Sequence, residues 1–303
     1  MIRRFIVKCF IFTIIVFFIA CCITYGINTV RPKLFNLNGA SIVFFGNSHI
    51  ETSMNDSIIT NSRNFARSSE IPEYIYSKLK NLERYNNTID TIIIGLDNSQ
   101  VYHEGNTWNL MSPSFYDCLS PKDLYIIFSQ GSFNDIVHRF SHPFDPEKLV
   151  DFFFAFRNPD NEIRNSDRIG GFVYLKRDKL SKAIELEKEK TQQIRTDQDI
   201  NPVSLYFIDK IYNYCQENNI TLIFLCPPQH PLSKLDRNHF YSFISNRYPD
   251  IPFLNFINAK MPDKYFGDLD HLNHWGAAAF SRFLQDSILH RPIKSINYVD
   301  SIK

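Results

Sequence analysis

The sequence predicts an α/β chain in three layers, a parallel sheet with helices on both faces, behind one N-terminal membrane-spanning helix. Three observations carry this expectation. Short apolar runs bounded by glycine or proline recur at 41–45, 90–96 and 220–228. Helical periodicities fall between them. The first thirty residues begin with basic side chains and then carry no charge at all.

The N-terminus comes first. "MIRRFIVK" places Arg3, Arg4 and Lys8 ahead of an uncharged stretch at 9–30. About twenty apolar residues suffice to cross a bilayer, and a basic flank stays on the cytoplasmic side. Residue 31 onward is therefore expected outside the cytoplasm, and the chain divides into an anchor at 1–31 and a second domain at 32–303. A cleaved signal peptide is the rival, but its apolar region is shorter and ends in small residues. "FIAC" (18–21) loosely matches a lipidation signal with Cys21 as acceptor, yet apolar "CITYGI" continues past it.

"SIVFF" (41–45) has the continuous apolar pattern of a strand buried on both faces, and "DTIIIGL" (90–96) and "ITLIFLCPP" (220–228) repeat it. "IPFLNFI" from Ile251 is a shorter fourth. Between the first two, Ile71, Tyr74, Ile75, Leu79 and Leu82 share one helical face. Before the third, Leu205, Ile208, Ile211, Tyr212 and Cys215 do the same, with Pro202 near the helix start. Strand–helix alternation of this kind means a parallel sheet covered on both sides. Residues from about 104 to 200 break the alternation. "PKDLYIIFSQ", "PEKLVDFFFAF" and "LSKAIELEKEKTQQIRTDQD" read as helices of an insertion over the sheet edge or its carboxyl rim, and "RNPDNEIRNSDRIGG" as a loop.

Composition excludes several functions. Hydrophobic residues make up 44% and charged residues 21%, so the chain can build a core. Net charge is +1 from 33 basic and 32 acidic residues, which argues against a nucleic-acid partner because phosphate binding needs a basic surface. The 15% aromatic content reads mainly as core packing, with sugar-stacking platforms as a lesser possibility. Of 6 cysteines, Cys9, Cys21 and Cys22 fall in the anchor; Cys118, Cys215 and Cys226 have no metal or disulfide spacing, and the last two read as buried small apolar residues.

The chemistry starts at "GNSH" (46–49), directly after the first strand. Open parallel sheets bind ligands at the carboxyl ends of their strands, so Ser48 sits at the working rim, as a helix cap or as a nucleophile. The tail decides for the nucleophile. "KYFGDLDHLNHWGAAAFSRFL" from Lys264 sets Asp268 and His271 three apart, before an amphipathic helix starting near His274. Serine becomes nucleophilic when a base takes its proton and a carboxylate orients that base. Asp270 competes for the carboxylate role, but a residue adjacent to His271 points elsewhere. "DLDHLNH" could also offer metal ligands, yet no further His or Asp run completes a site, so neither a metal nor a cofactor is expected. His103, His138, His142 and His230 read as loop residues without partners.

Gly46-Asn47-Ser48-His49 and Asp268-x-x-His271 together resemble the first and last blocks of the SGNH (GDSL-type) serine hydrolases. The match continues into "HLNHWGAAAFS", which is similar to membrane-anchored bacterial members that modify envelope polysaccharides or transfer D-alanine to teichoic acids. The resemblance implies a flavodoxin-like three-layer sheet, a catalytic triad of Ser48, Asp268 and His271, and an oxyanion hole. That hole would use the Ser48 N–H, a second-block N–H from Ser69 in "NFARSSE", and the Asn98 side chain in "GLDNSQ". Asn47 stands where the family often has Asp, and Ser69 where it has Gly, a residue that adopts turn conformations more easily. The resemblance also implies a polysaccharide substrate, a bacterial inner-membrane location with the catalytic domain in the periplasm, and a membrane-bound acyl-donor partner. A non-catalytic glycan-binding or scaffold protein on the same fold is one alternative, and a metal-dependent hydrolase a lesser one.

Overall fold

The computed structural model describes residues 4–16, 18–19, 22, 35–85, 89–101, 118–129, 169–176, 179–189, 200–233, 237–289 and 293–302. Six strands form one parallel sheet: β1 (Ile42–Phe45), β2 (Ser62–Asn64), β3 (Thr91–Gly95), β4 (Thr221–Cys226), β5 (Phe253–Asn255) and β6 (Ile296–Asn297). Their order is β2-β1-β3-β4-β5-β6. The first five thus run 2-1-3-4-5, an order found in doubly wound sheets. After the N-terminal helix, eight α-helices are described: α1 (Ser48–Ser53), α2 (Pro72–Tyr85), α3 (Asn98–Val101), α4 (Pro121–Ser129), α5 (Leu180–Glu189), α6 (Pro202–Glu217), α7 (Arg237–Arg247) and α8 (His274–Leu284).

The strands' apolar runs work because successive side chains leave opposite faces of the sheet. Val43, Phe45, Ile92, Ile94, Leu222, Phe224 and Phe253 enter one core with Ile75 and Leu79 of α2, Phe207 and Ile211 of α6, and Ile244 of α7. Phe44, Ile93, Ile223, Leu225 and Leu254 enter a second core with Ile50 of α1 and Phe280 and Leu284 of α8. Each run is apolar throughout because both its faces are buried. Cys215 and Cys226 lie in the first core, as expected, and burial pushes the Cys215 thiol up to about 12.

Strands β2 and β6 were not anticipated. They read "SRN" and "IN", three and two residues long, too short and too polar to leave a periodicity. The expected membrane span at 9–30 falls partly outside the described residues. Its described portion, within 4–16, 18–19 and 22, is helical and exposes Phe10, Phe12, Ile15 and Phe18. No described helix is long and apolar enough to cross a membrane. The helix expected in "PEKLVDFFFAF" and most of the 104–200 insertion lie outside the described residues, as do His103, His138 and His142. The insertion's described pieces include α4, α5 and an extended segment at 171–176.

Candidate active site

The chain leaves β1 at Phe45 and turns at once into α1. Gly46 has φ 149°, and a Cβ there would stand 2.7 Å from Ile50 Cγ1; on Gly95, at the matching end of β3, it would stand 1.9 Å away. Glycine at both strand ends lets Ile50 seat on the sheet, so α1 starts directly at the rim. Asn47 is the N-cap, its side chain accepting from the His49 N–H at 3.0 Å. Ser48 is therefore not the cap. It is the first helical residue, partly exposed, at the point where strand order reverses between β1 and β3.

Ser48, His271 and Asp268 come together there. His271 Nε2 lies 2.8 Å from Ser48 Oγ, and His271 Nδ1 lies 2.8 Å from Asp268 Oδ1. The same Asp268 oxygen accepts the backbone N–H groups of Asp270 and His271 at 3.0 and 2.9 Å. A carboxylate held by three donors on one loop fixes the imidazole's orientation and places the Nδ1 proton toward itself. The loop in turn is closed by Gly267 N–H donating to His271 O at 2.9 Å and by a bridge between Phe266 and Leu272. Asn273 caps α8 through the Trp275 and Gly276 N–H groups, and its Nδ2 donates to Lys264 O at 2.7 Å. Asp270 turns away, as expected, and accepts from Ser233 Oγ at 2.7 Å. His274 does not join the loop's acidic residues either: its Nδ1 bonds Leu175 O at 3.1 Å.

Ser69 sits in a turn whose Arg67 O accepts the Glu70 N–H at 3.1 Å, while Arg67 N–H reaches Gly46 O at 3.0 Å. Ser69 has φ 59°, so it keeps the left-handed backbone that position i+2 of a type II turn requires, without being glycine. The N–H groups of Ser48 and Ser69 have no acceptor among the described residues. Beneath the turn, Glu70 pairs with Lys78, whose Nζ also donates to Phe65 O at 2.7 Å. Burial pushes Glu70 up to about 7, against the pull of Lys78, and holds Lys78 below its ordinary range. Asn98 opens α3, and its side chain lies outside the described part of the structure.

Asp97 occupies the site instead. Its Oδ2 is 2.6 Å from His49 Nδ1 and accepts Asn47 Nδ2 at 2.8 Å. The Gln229 side-chain amide lies 3.2 Å from the same imidazole nitrogen. The His49 and His271 rings meet edge to face at 5.0 Å. Burial disfavours charge on His49, but Asp97, joined more weakly by Asp270 and Asp268, overcomes it and raises its pKa above the ordinary value. The sequence reading missed His49, Asp97 and Gln229. Both "GNSH" and "GLDN" follow strand-end glycines, and the β1–β3 register sets Phe45 opposite Ile94, so the residues just beyond converge. That signal needs the strand pairing. His230 lies in a loop, as expected, and the structure supplies the partners the sequence did not name: its Nε2 lies 3.5 Å from Asp263 Oδ1, and its N–H donates to Leu269 O at 3.0 Å.

A family model for an uncharacterised family matches residues 174–292, less than half of the chain, and that span contains Asp268 and His271. No curated protein matches the chain.

Proposed function

We propose that this chain is an SGNH-type serine enzyme that forms an acyl-Ser48 intermediate and passes the acyl group to water or to a sugar hydroxyl of an envelope polysaccharide. The observation that carries the reading is the unbroken Asp268–His271–Ser48 hydrogen-bond chain, 2.8 Å at each side-chain step, at the carboxyl end of β1. His271 Nε2 takes the Ser48 proton as Oγ attacks the ester carbonyl carbon. The developing oxyanion is met by the Ser48 and Ser69 N–H groups, with Asn98 as the third donor. His271 then gives the proton to the leaving alkoxide, and acyl-Ser48 remains. Water or a sugar hydroxyl loses its proton to His271 as it attacks, and Ser48 leaves with that proton restored.

The strand order 2-1-3-4-5 supports a flavodoxin-like fold. Exposed Phe10, Phe12 and Phe18 on the N-terminal helix support the membrane anchor, with the catalytic domain on the periplasmic side. A membrane-bound partner would then hand the acyl donor across the bilayer. Hydrolysis of p-nitrophenyl acetate by the full chain and by Ser48→Ala tests the reading. Serine-dependent turnover supports it; equal rates in both proteins overturn it.

A further inference from the structure

Next to the catalytic loop the surface opens into a cleft of about 730 Å³. Its walls flank that loop on both sides: Asp263, Lys264 and Phe266 precede Asp268, and Asn273, His274 and Trp275 follow His271, with Lys176 facing them. His274 and Trp275 line it, and Tyr174, with Lys176 Nζ 5.8 Å from its ring, sits behind His274. The three rings form a ledge. Tyr174 stacks on His274 at 4.3 Å and 30°, and His274 meets Trp275 at 4.7 Å and 40°. Tyr174 and Trp275 are nonetheless 57% and 64% exposed. An aromatic ring left open beside a cleft rimmed by charged side chains can offer its face to a ligand.

The ledge is held in place from two sides. His274 N–H and Nδ1–H both donate to Leu175 O, at 3.0 and 3.1 Å. Val173 N–H donates to Glu51 O at 2.9 Å, within the helix that Ser48 opens. The 171–176 segment therefore ties the nucleophile's helix to the start of α8, and the rings are positioned before any ligand arrives.

We infer that this cleft binds a saccharide segment, with pyranose rings lying on Trp275 and Tyr174 and the hydroxyl edges meeting Lys176, Asp263 and Lys264. A pyranose has apolar C–H faces that suit the electron-rich face of an aromatic ring, and a polar perimeter that must be hydrogen-bonded. This cleft offers both. A fatty acyl chain would lie against the charged heads of Lys176, Lys264 and Asp263 and displace the water that hydrates them. A nucleic acid could stack on the rings, but a chain of net charge +1 gives its phosphates no basic surface. The inference rests on the acyl-transfer reading only for what happens to the saccharide once bound.

Calorimetric titration of the full chain carrying Ser48→Ala, with cellohexaose, hexa-N-acetylchitohexaose and a polymannuronate hexamer, tests binding apart from turnover. At least one of the three binds, and Trp275→Ala or Tyr174→Ala added to that protein weakens it about tenfold or more. Tyr125→Ala, at an exposed position of α4, leaves the affinity unchanged, and circular dichroism checks the fold of each variant. No binding by any of the three probes overturns the inference, as does equal affinity in Trp275→Ala. Binding without Ser48-dependent ester hydrolysis in the wild type keeps the cleft and removes the proposed function; the opposite pattern removes the cleft alone.

Discussion

Two histidine–aspartate pairs stand with their imidazoles 5.0 Å apart, and they differ in what the free side of the ring can reach. In the His271–Asp268 pair both side chains are about a fifth exposed, and Nε2 faces Ser48 Oγ at 2.8 Å. In the His49–Asp97 pair the exposures fall to 10% and 6%, and the contacts are to Asn47 and Gln229, neither of which can be a nucleophile. Under the proposed mechanism the same two residue types make a proton carrier in one place and a brace in the other. Solvent access and a serine decide which. The buried pair also ties together the ends of β1, β3 and β4, where His49, Asp97 and Gln229 follow their strands.

The comparison breaks most plainly at the exposed pair. His271→Ala or Ser48→Ala is expected to lower kcat for p-nitrophenyl acetate by about 10⁶-fold, and the double variant to cost no more, because the residues act as one unit. A double variant much slower than either single one would contradict that. Asp268→Asn should lose less, about 10⁴-fold, since serine and base remain and the tautomer is what suffers. Steady-state kinetics against thermal melts separates this from misfolding.

At the buried pair the order of effects reverses, with stability losing more than chemistry. His49→Gln should lower unfolding free energy by about 1–3 kcal/mol in denaturant titrations, because Asp97 is left buried with a donor missing. Turnover should fall far less than in His271→Ala. A loss as large as that of His271→Ala would make His49 part of the chemistry and end the distinction. The pair also has a pH signature. The folded pKa of His49 lies above its unfolded value, so its contribution is complete below about pH 6.5 and fades as pH rises through the folded value. The melting-temperature gap between wild type and His49→Gln should therefore be widest in acid and narrow toward alkaline pH. The smallest effect is at Ser69. Relief of the left-handed strain and the added freedom of glycine nearly offset each other, so Ser69→Gly should change stability by within about 1 kcal/mol while activity persists.

How far the sequence could be read follows the same division. The apolar runs of β1, β3, β4 and β5, and the helical faces of α2 and α6, were legible because burial imposes a period on every residue. The convergence of Ser48, Asp268 and His271 was legible because the serine, the histidine and the carboxylate sit in two short motifs, one of which holds two of the three. Asp97 and His49 are 48 residues apart, and what joins them is the parallel register of β1 and β3, which no local pattern records. Ser69 was questioned because it replaces glycine. The turn nevertheless keeps φ 59°, since the bonds of Arg67 and Glu70 and the buried Lys78 pair fix the backbone around it. The aromatic ledge was illegible for another reason: Tyr174 and Trp275 are 101 positions apart, and each contacts the His274 ring.

The central claim is that Ser48, activated by His271, is the acyl acceptor. Labelling of the full chain with a fluorophosphonate, followed by peptide mass spectrometry, tests it most directly. The account expects one adduct on Ser48, absent in Ser48→Ala and strongly slowed in His271→Ala, with His49→Gln still labelled. No adduct on Ser48 in the folded protein, or labelling that persists unchanged without His271, would contradict it.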